Sequence, residues 1–245
     1  MSTIHFIGGE KGGVGKSVFS RLLSQYFLDH NMHYAGFDAD QSHDTLTRFY
    51  PEFTQPVNLD KYESADRIIE TALENDVNVV VDLPAQSERF LKRWMEDNDV
   101  SALCEETGVK CYFWYVVDDG MDSARLAAAF LDRYQDELPC VLVKNYGRGG
   151  DFSSLEKTIA DAGITPKASI AINELHDGTM RKIDKLSLNF WAAGNLTERA
   201  EGTLSLMERQ RTRVWCKKSY AEIEKGLQTQ ASSCLLYTSD AADDP

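Results

Sequence analysis

Short apolar runs and amphipathic stretches take turns along this chain. Thr3-Ile4-His5-Phe6-Ile7 is β-rich and stops at Gly8-Gly9, which predicts a first strand. From Ser17 onward Val18, Phe19, Leu22, Leu23, Tyr26 and Phe27 recur at helical spacing and predict an amphipathic helix. A second strand is expected over His33–Asp38. A capped helix is expected over Ser64–Asn75, with Ile68, Ile69, Ala72 and Leu73 on its apolar face. Val77-Asn78-Val79-Val80-Val81-Asp82 is nearly all β-branched, as suits a parallel strand buried on both faces. Further strands are expected at Lys110–Val117, Cys140–Asn145 and Ala168–Ile172, with helices near 121–135 and 152–162. A long helical stretch from Leu196 to about Leu227 closes the pattern.

Strand and helix alternating throughout means crossover connections. The fold class is therefore α/β, a single domain with a mainly parallel sheet flanked by helices on both faces. In such sheets ligands bind at the C-terminal ends of the strands, so residues just after strands carry the chemistry. No linker is visible, and residues 1–229 are expected to form one nucleotide-binding domain, followed by a disordered tail over 230–245.

Composition narrows the class. Apolar residues make up 42% of 245, within the globular range, and no run is long and apolar enough to span a membrane. The N-terminus lacks a basic segment followed by an apolar one, so no secretory signal is expected. The five cysteines are scattered without a C-x-x-C pair, which fits reduced thiols of a cytoplasmic protein. Residues Cys234 to Pro245 look like a sequencing adapter translated in frame. Removing their three Asp takes the net charge from −13 to −10, so the body stays acidic and has no chain-wide attraction to nucleic acid.

The most specific signal is Lys11-Gly12-Gly13-Val14-Gly15-Lys16-Ser17, a phosphate-binding P-loop between a strand and an amphipathic helix. Glycines let successive backbone N–H groups turn inward on a phosphate, and the helix N-terminus adds positive potential. Lys16 is placed to reach the β- and γ-phosphates of ATP, and Ser17 to ligate Mg²⁺. The general pattern has glycine five residues before Gly15, where this chain has Glu10.

That departure, together with Lys11, makes the segment resemble the deviant Walker A of the ParA/MinD family of P-loop NTPases. The resemblance covers roughly residues 2–195. It implies an ATP-sandwich homodimer in which Lys11 reaches the partner's phosphates. Phe37-Asp38-Ala39-Asp40-Gln41-Ser42 resembles the family's first switch, although the usual proline is missing. The resemblance makes Asp40 the hydrolytic carboxylate and Asp38 its neighbour in the metal network. Val79-Val80-Val81-Asp82-Leu83-Pro84-Ala85 resembles the Walker B segment, with Asp82 binding a water of Mg²⁺. Catalysis would then fall to Lys11, Lys16 and Asp40. The nucleotide would be held by Gly12, Gly13, Val14, Gly15, Lys16 and Ser17, and the metal by Ser17, Asp38 and Asp82. Asn145, ending a late strand, could read the purine edge by resemblance; a cap or turn role is the alternative.

A basic stretch stands out near the C-terminus. Arg209, Arg213 and Lys217 share one helix face at i, i+4 and i+8, which could contact DNA phosphates non-specifically. The competing, plainer reading is a solvated helix face. Membrane targeting would need a continuous apolar side on a terminal helix, which the segment after Lys218 lacks.

The function expected from this resemblance is a weak, partner-stimulated, Mg²⁺-dependent ATPase in plasmid partition, mobilisation or related positioning. The alternative is a P-loop amide synthetase of the cobyrinate-synthase type, for which the chain is short. An electron carrier like the nitrogenase iron protein is excluded because no cysteine follows a switch strand. A bacterial tyrosine kinase would need a C-terminal tyrosine cluster.

Overall fold

The computed structural model describes residues 2–40, 45–74, 76–199 and 201–232. In chain order the first elements are β1 (Thr3–Gly8), α1 (Lys16–Asp29), β2 (Tyr34–Asp38), α2 (Thr45–Phe49), β3 (Thr54–Pro56), α3 (Tyr62–Glu74) and β4 (Asn78–Asp82). They are followed by α4 (Glu88–Asn98), α5 (Val100–Thr107), β5 (Lys110–Val117), α6 (Met121–Tyr134), β6 (Cys140–Asn145) and α7 (Ser153–Asp161). Last come β7 (Ala168–Ile172), α8 (Asp177–Lys185), α9 (Phe190–Asn195) and α10 (Leu206–Ser232).

The strands form one sheet of seven in the order β3-β2-β4-β1-β5-β6-β7, and every pairing is parallel. β1 sits at its centre, between β4 and β5, so both its faces are covered. On one side Ile4, Phe6, Val79 and Val81 pack under Ile68 of α3, Phe90 and Trp94 of α4, and Ala127 and Leu131 of α6. On the other side Ile7, Val80, Trp114 and Val141 meet Phe19, Leu22 and Leu23 of α1, together with Phe190 of α9 and Ile223 of α10. Burying each such side chain is worth roughly 1.5–3 kcal/mol, which is why apolar run length and helical period predicted these elements.

A polar chain runs through the second face. Trp114 Nε1 donates to His5 Nδ1 at 3.1 Å, leaving His5 Nε2 to bond Asn78 Oδ1 at 3.4 Å. Burial pushes the His5 pKa down to about 4, so the ring is neutral.

Differences from expectation lie at the ends of elements and in short ones. β2 starts at Tyr34, and the expected helix over 64–75 covers Tyr62–Glu74. The closing helix begins at Leu206, not Leu196. Residues before it include Gly202 at φ +104°, a conformation no helix continues through. The tail expected over 230–245 overlaps α10 as far as Ser232; residues 233–245 lie outside the described residues.

Candidate functional site

Gly15 caps α1 with φ 99° and offers no side chain to its first turn, which holds no acidic residue. The N–H groups at that helix start are thus left to an anion. Gly13, at φ 78°, also holds a backbone conformation that only glycine adopts cheaply. A Cβ built on Gly12 or Gly13 would meet nothing within 4 Å, so open space lies beside the loop. Gly15 is the opposite case: a Cβ there would come within 2.2 Å of Asn145 Nδ2.

Two lysines flank this cradle in different states. Lys16 is 8% exposed, and its Nζ donates to the Lys11 carbonyl at 2.8 Å. Burial lowers its pKa, against the pull of Asp82, Glu10 and Asp40. The ammonium that the sequence assigns to phosphate thus feels three carboxylates. Lys11 points elsewhere, with its Nζ 2.7 Å from Asp118 Oδ2 just beyond β5. That bond, with Asp119 and Asp122 nearby, raises the Lys11 pKa.

Asp82 and Asp38 end adjacent strands in register, which brings the Walker B-like and first-switch-like segments together. Asp82 is buried; its Oδ1 accepts from Ser20 Oγ at 2.9 Å, and its Oδ2 has no partner. Burial pushes its pKa up to about 7, opposed by the Ser20 and Ser17 hydroxyls. A buried carboxylate oxygen left unpartnered beside a serine hydroxyl fits Mg²⁺, which prefers hard oxygens and keeps several waters.

Asp38 accepts from the residues that follow β2. Its Oδ2 accepts from Leu46 N at 2.8 Å, Thr47 N at 3.0 Å and Thr47 Oγ1 at 3.2 Å, capping α2. Its Oδ1 accepts from Asp40 N at 3.2 Å. Both oxygens thus hold the segment that follows β2. Asp40 is half-buried and lines a cleft with Pro84, Gln86, Arg89 and Arg93. Gln41 and Ser42 lie outside the described residues.

Asn145 sits at the end of β6, close to the loop. Its Nδ2 donates to Val14 O at 2.8 Å and its Oδ1 accepts from Gly147 N at 3.0 Å. The amide therefore braces the phosphate loop against the turn after β6, with one N–H and one lone pair left over. Beside it a slot opens between Phe19 of α1, Val143, Ile172, Met180 and Trp215, with Arg148 at its rim. Trp215, fixed by Nε1 donating to Asn173 O at 2.7 Å, brings α10 into this slot. Sequence reading missed it because Trp215 looked like one more residue of a basic helix.

On α10 itself, Arg209 Nη1 donates to Leu204 O at 2.7 Å and Arg213 Nη1 to Gly194 O at 3.1 Å. Lys217 is exposed. Two of the three charges expected to face DNA are thus tied to backbone carbonyls of the preceding segments.

Comparison with known proteins bears on the fold. No protein-family model matches the chain. It is similar to Protein TraL of Escherichia coli, 29% identical over 125 residues that make up 49% of this chain and 52% of TraL. The chain thus spans about half the length of the curated relative it matches. Among solved structures it resembles a plasmid partition protein of Borrelia burgdorferi B31 bound to AMPPNP, with a TM-score of 0.53 and 16% identity, covering 89% of this chain and 100% of that one. It also resembles the MinD cell division protein of Aquifex aeolicus, with a TM-score of 0.53 and 14% identity, covering 91% and 98%. A MinC:MinD complex from the same organism gives a TM-score of 0.53 at 12% identity, covering 91% and 96%. At such identities the likeness is one of fold, shared with that partition protein and with MinD.

Proposed function

Starting from that fold, we propose that this chain binds ATP with Mg²⁺, pairs with a second copy across two nucleotides, and hydrolyses ATP. The task would be plasmid partition, mobilisation or related positioning, and the place the cytoplasm. The observation that carries the reading is a helix start left open to an anion, beside a buried lysine and a buried carboxylate with an unpartnered oxygen. A polyanion with a hard cation satisfies all three at once.

In this reading the N–H groups of Gly12 to Ser17 cradle the phosphates, and Lys16 moves its charge from the Lys11 carbonyl to the β- and γ-oxygens. Mg²⁺ would be held by the Ser17 hydroxyl and, through water, by Asp82; bound there it neutralises phosphate charge. Asp40 orients the attacking water. The base occupies the slot by Phe19 and Trp215, with Asn145 holding the loop beneath it. Lys11 leaves Asp118 for the partner's triphosphate, where a cation stabilises charge spread over the transferred group. The likeness in fold to a plasmid partition protein supports a plasmid task, and the MinC:MinD complex supports a protein partner.

The solved structures with this fold are a plasmid partition protein and MinD, which favours positioning over the amide-synthetase alternative. Among the described residues no helix is long and apolar enough to cross a membrane. The test is binding of a fluorescent ATP analogue to Lys16→Ala: binding is expected to be lost, and unchanged affinity would overturn the reading.

A further inference from the structure

Glu10 occupies the position where the general P-loop pattern carries glycine, and its side chain reaches out of the loop. Its Oε1 accepts from the backbone N–H of Glu88 at 3.0 Å, the first residue of α4. Ser87, the residue that should cap α4, makes no side-chain cap bond. The N-terminus of α4 therefore takes its carboxylate from the phosphate loop 78 residues earlier, where the helix dipole favours it. Burial raises the Glu10 pKa, and the Glu88 N–H opposes the rise. The Glu10 backbone N–H is itself held by Tyr115 Oη at 3.3 Å.

The segment between Asp82 and α4 is short and constrained. It contains Gln86 at φ 60°, a left-handed conformation uncommon for a residue with a side chain. Beyond it, α4 carries Arg89, Lys92 and Arg93 on the wall of a surface cleft that Glu10 also lines. On the other side Glu10 adjoins Lys11, whose carbonyl accepts from Lys16 Nζ at 2.8 Å. A phosphate in the loop competes for that ammonium and so acts on the backbone one residue from Glu10.

We propose that Glu10 is a positioning residue that ties the phosphate loop to the start of α4, so that nucleotide in the loop sets the path of residues 83–87 and the placement of the Arg89–Arg93 surface. This rests on the nucleotide reading above and adds the route by which occupancy reaches the start of α4.

Glu10→Gly restores the general pattern and keeps the loop able to fold; Glu10→Gln keeps an acceptor for the Glu88 N–H. Hydrogen exchange over residues 83–92 is followed with and without ATP and Mg²⁺, beside ATP affinity and turnover. In the wild type ATP is expected to raise protection over this segment. In Glu10→Gly affinity should stay within about threefold while the protection response disappears and turnover falls about fivefold, the equivalent of one lost helix cap. Glu10→Gln should restore both the response and the turnover. A merely structural bond would lower the melting temperature without removing the response. An ATP response of wild-type size in Glu10→Gly, or a Glu10→Gln variant as silent as Glu10→Gly, would overturn the proposal. Failure of the wild type to bind ATP would instead sink the nucleotide reading.

Discussion

Lys11 Nζ lies 2.7 Å from Asp118 Oδ2, so the lysine assigned to a partner's triphosphate is engaged within its own chain. Asp118 is held for this contact, its Oδ1 accepting from Gly120 N at 3.1 Å. Burial works against the charge on Asp118, but Lys11 and the Gly120 N–H outweigh it and keep its pKa low. Dimerisation must therefore break an ion pair that is partly open to solvent, a modest cost. Asp118→Asn is expected to lower the ATP concentration for half-maximal dimer by about two- to fivefold. An unchanged midpoint in light scattering would show that the contact does not restrain Lys11.

Asp82 is a buried acid whose charge the fold resists. Its folded pKa, about 7, lies above the ordinary carboxylate value, so the folded state holds the proton more tightly than the unfolded chain. Without metal, the penalty is therefore greatest above pH 7 and fades as pH falls toward 4. Asp82→Asn should stabilise the nucleotide-free protein at pH 7.5 by up to about 4 kcal/mol, and by little at pH 4. Chemical denaturation at the two pH values checks this. The same variant should lose the extra stabilisation that Mg²⁺ adds to ATP. A destabilised Asp82→Asn at pH 7.5 would contradict the account of that site.

Asn145 separates a brace from a base reader. Its side-chain amide bonds Val14 O and Gly147 N, both backbone groups of loops beside the phosphate-loop helix. Asn145→Ala should weaken ATP and GTP alike, by about tenfold, and cost about 1–2 kcal/mol of stability. A selective loss for ATP in competition binding would show that the amide reads adenine.

The basic face of α10 has two of its three charges engaged with the chain's own backbone. Arg209 and Arg213 are held on the Leu204 and Gly194 carbonyls, leaving Lys217 of each copy in a dimer. At about −0.9 per phosphate contact, binding through this face should have a salt slope near −2, against about −5 for all three residues. Filter binding with ATP and Mg²⁺ over a salt series decides between them. A slope near −5 would mean that both arginines also contact phosphate.

The sheet was legible because its strands are buried runs and its larger helices carry their own apolar period. β4 and α1 needed only their own residues, Val79 to Val81 and Phe19 to Phe27, to be located. α2 and β3 were missed because they are five and three residues long. They are held by the Asp38 carboxylate and by pairing with β2, not by local pattern. The phosphate loop was legible because φ values such as those at Gly13 and Gly15 demand glycine. The side-chain contacts around it were not. Glu10 meets α4 78 residues later and Lys11 meets Asp118 107 residues later, and no local spacing encodes either contact. Asp38 and Asn145 show the same limit: residue type and strand end placed them by the loop, but only their partners revealed a cap and a brace.

The central claim is that ATP joins two copies of this chain and that Asp40 then drives hydrolysis. Asp40→Ala keeps Lys11, Lys16 and Ser17 and should bind ATP without turning it over. Light scattering of this variant at saturating ATP and Mg²⁺ is therefore the most direct measurement. The account predicts a stable mass of twice the monomer, absent with ADP and absent when Lys11 is also replaced by alanine. A mass that stays monomeric in Asp40→Ala while ATP is bound would contradict it.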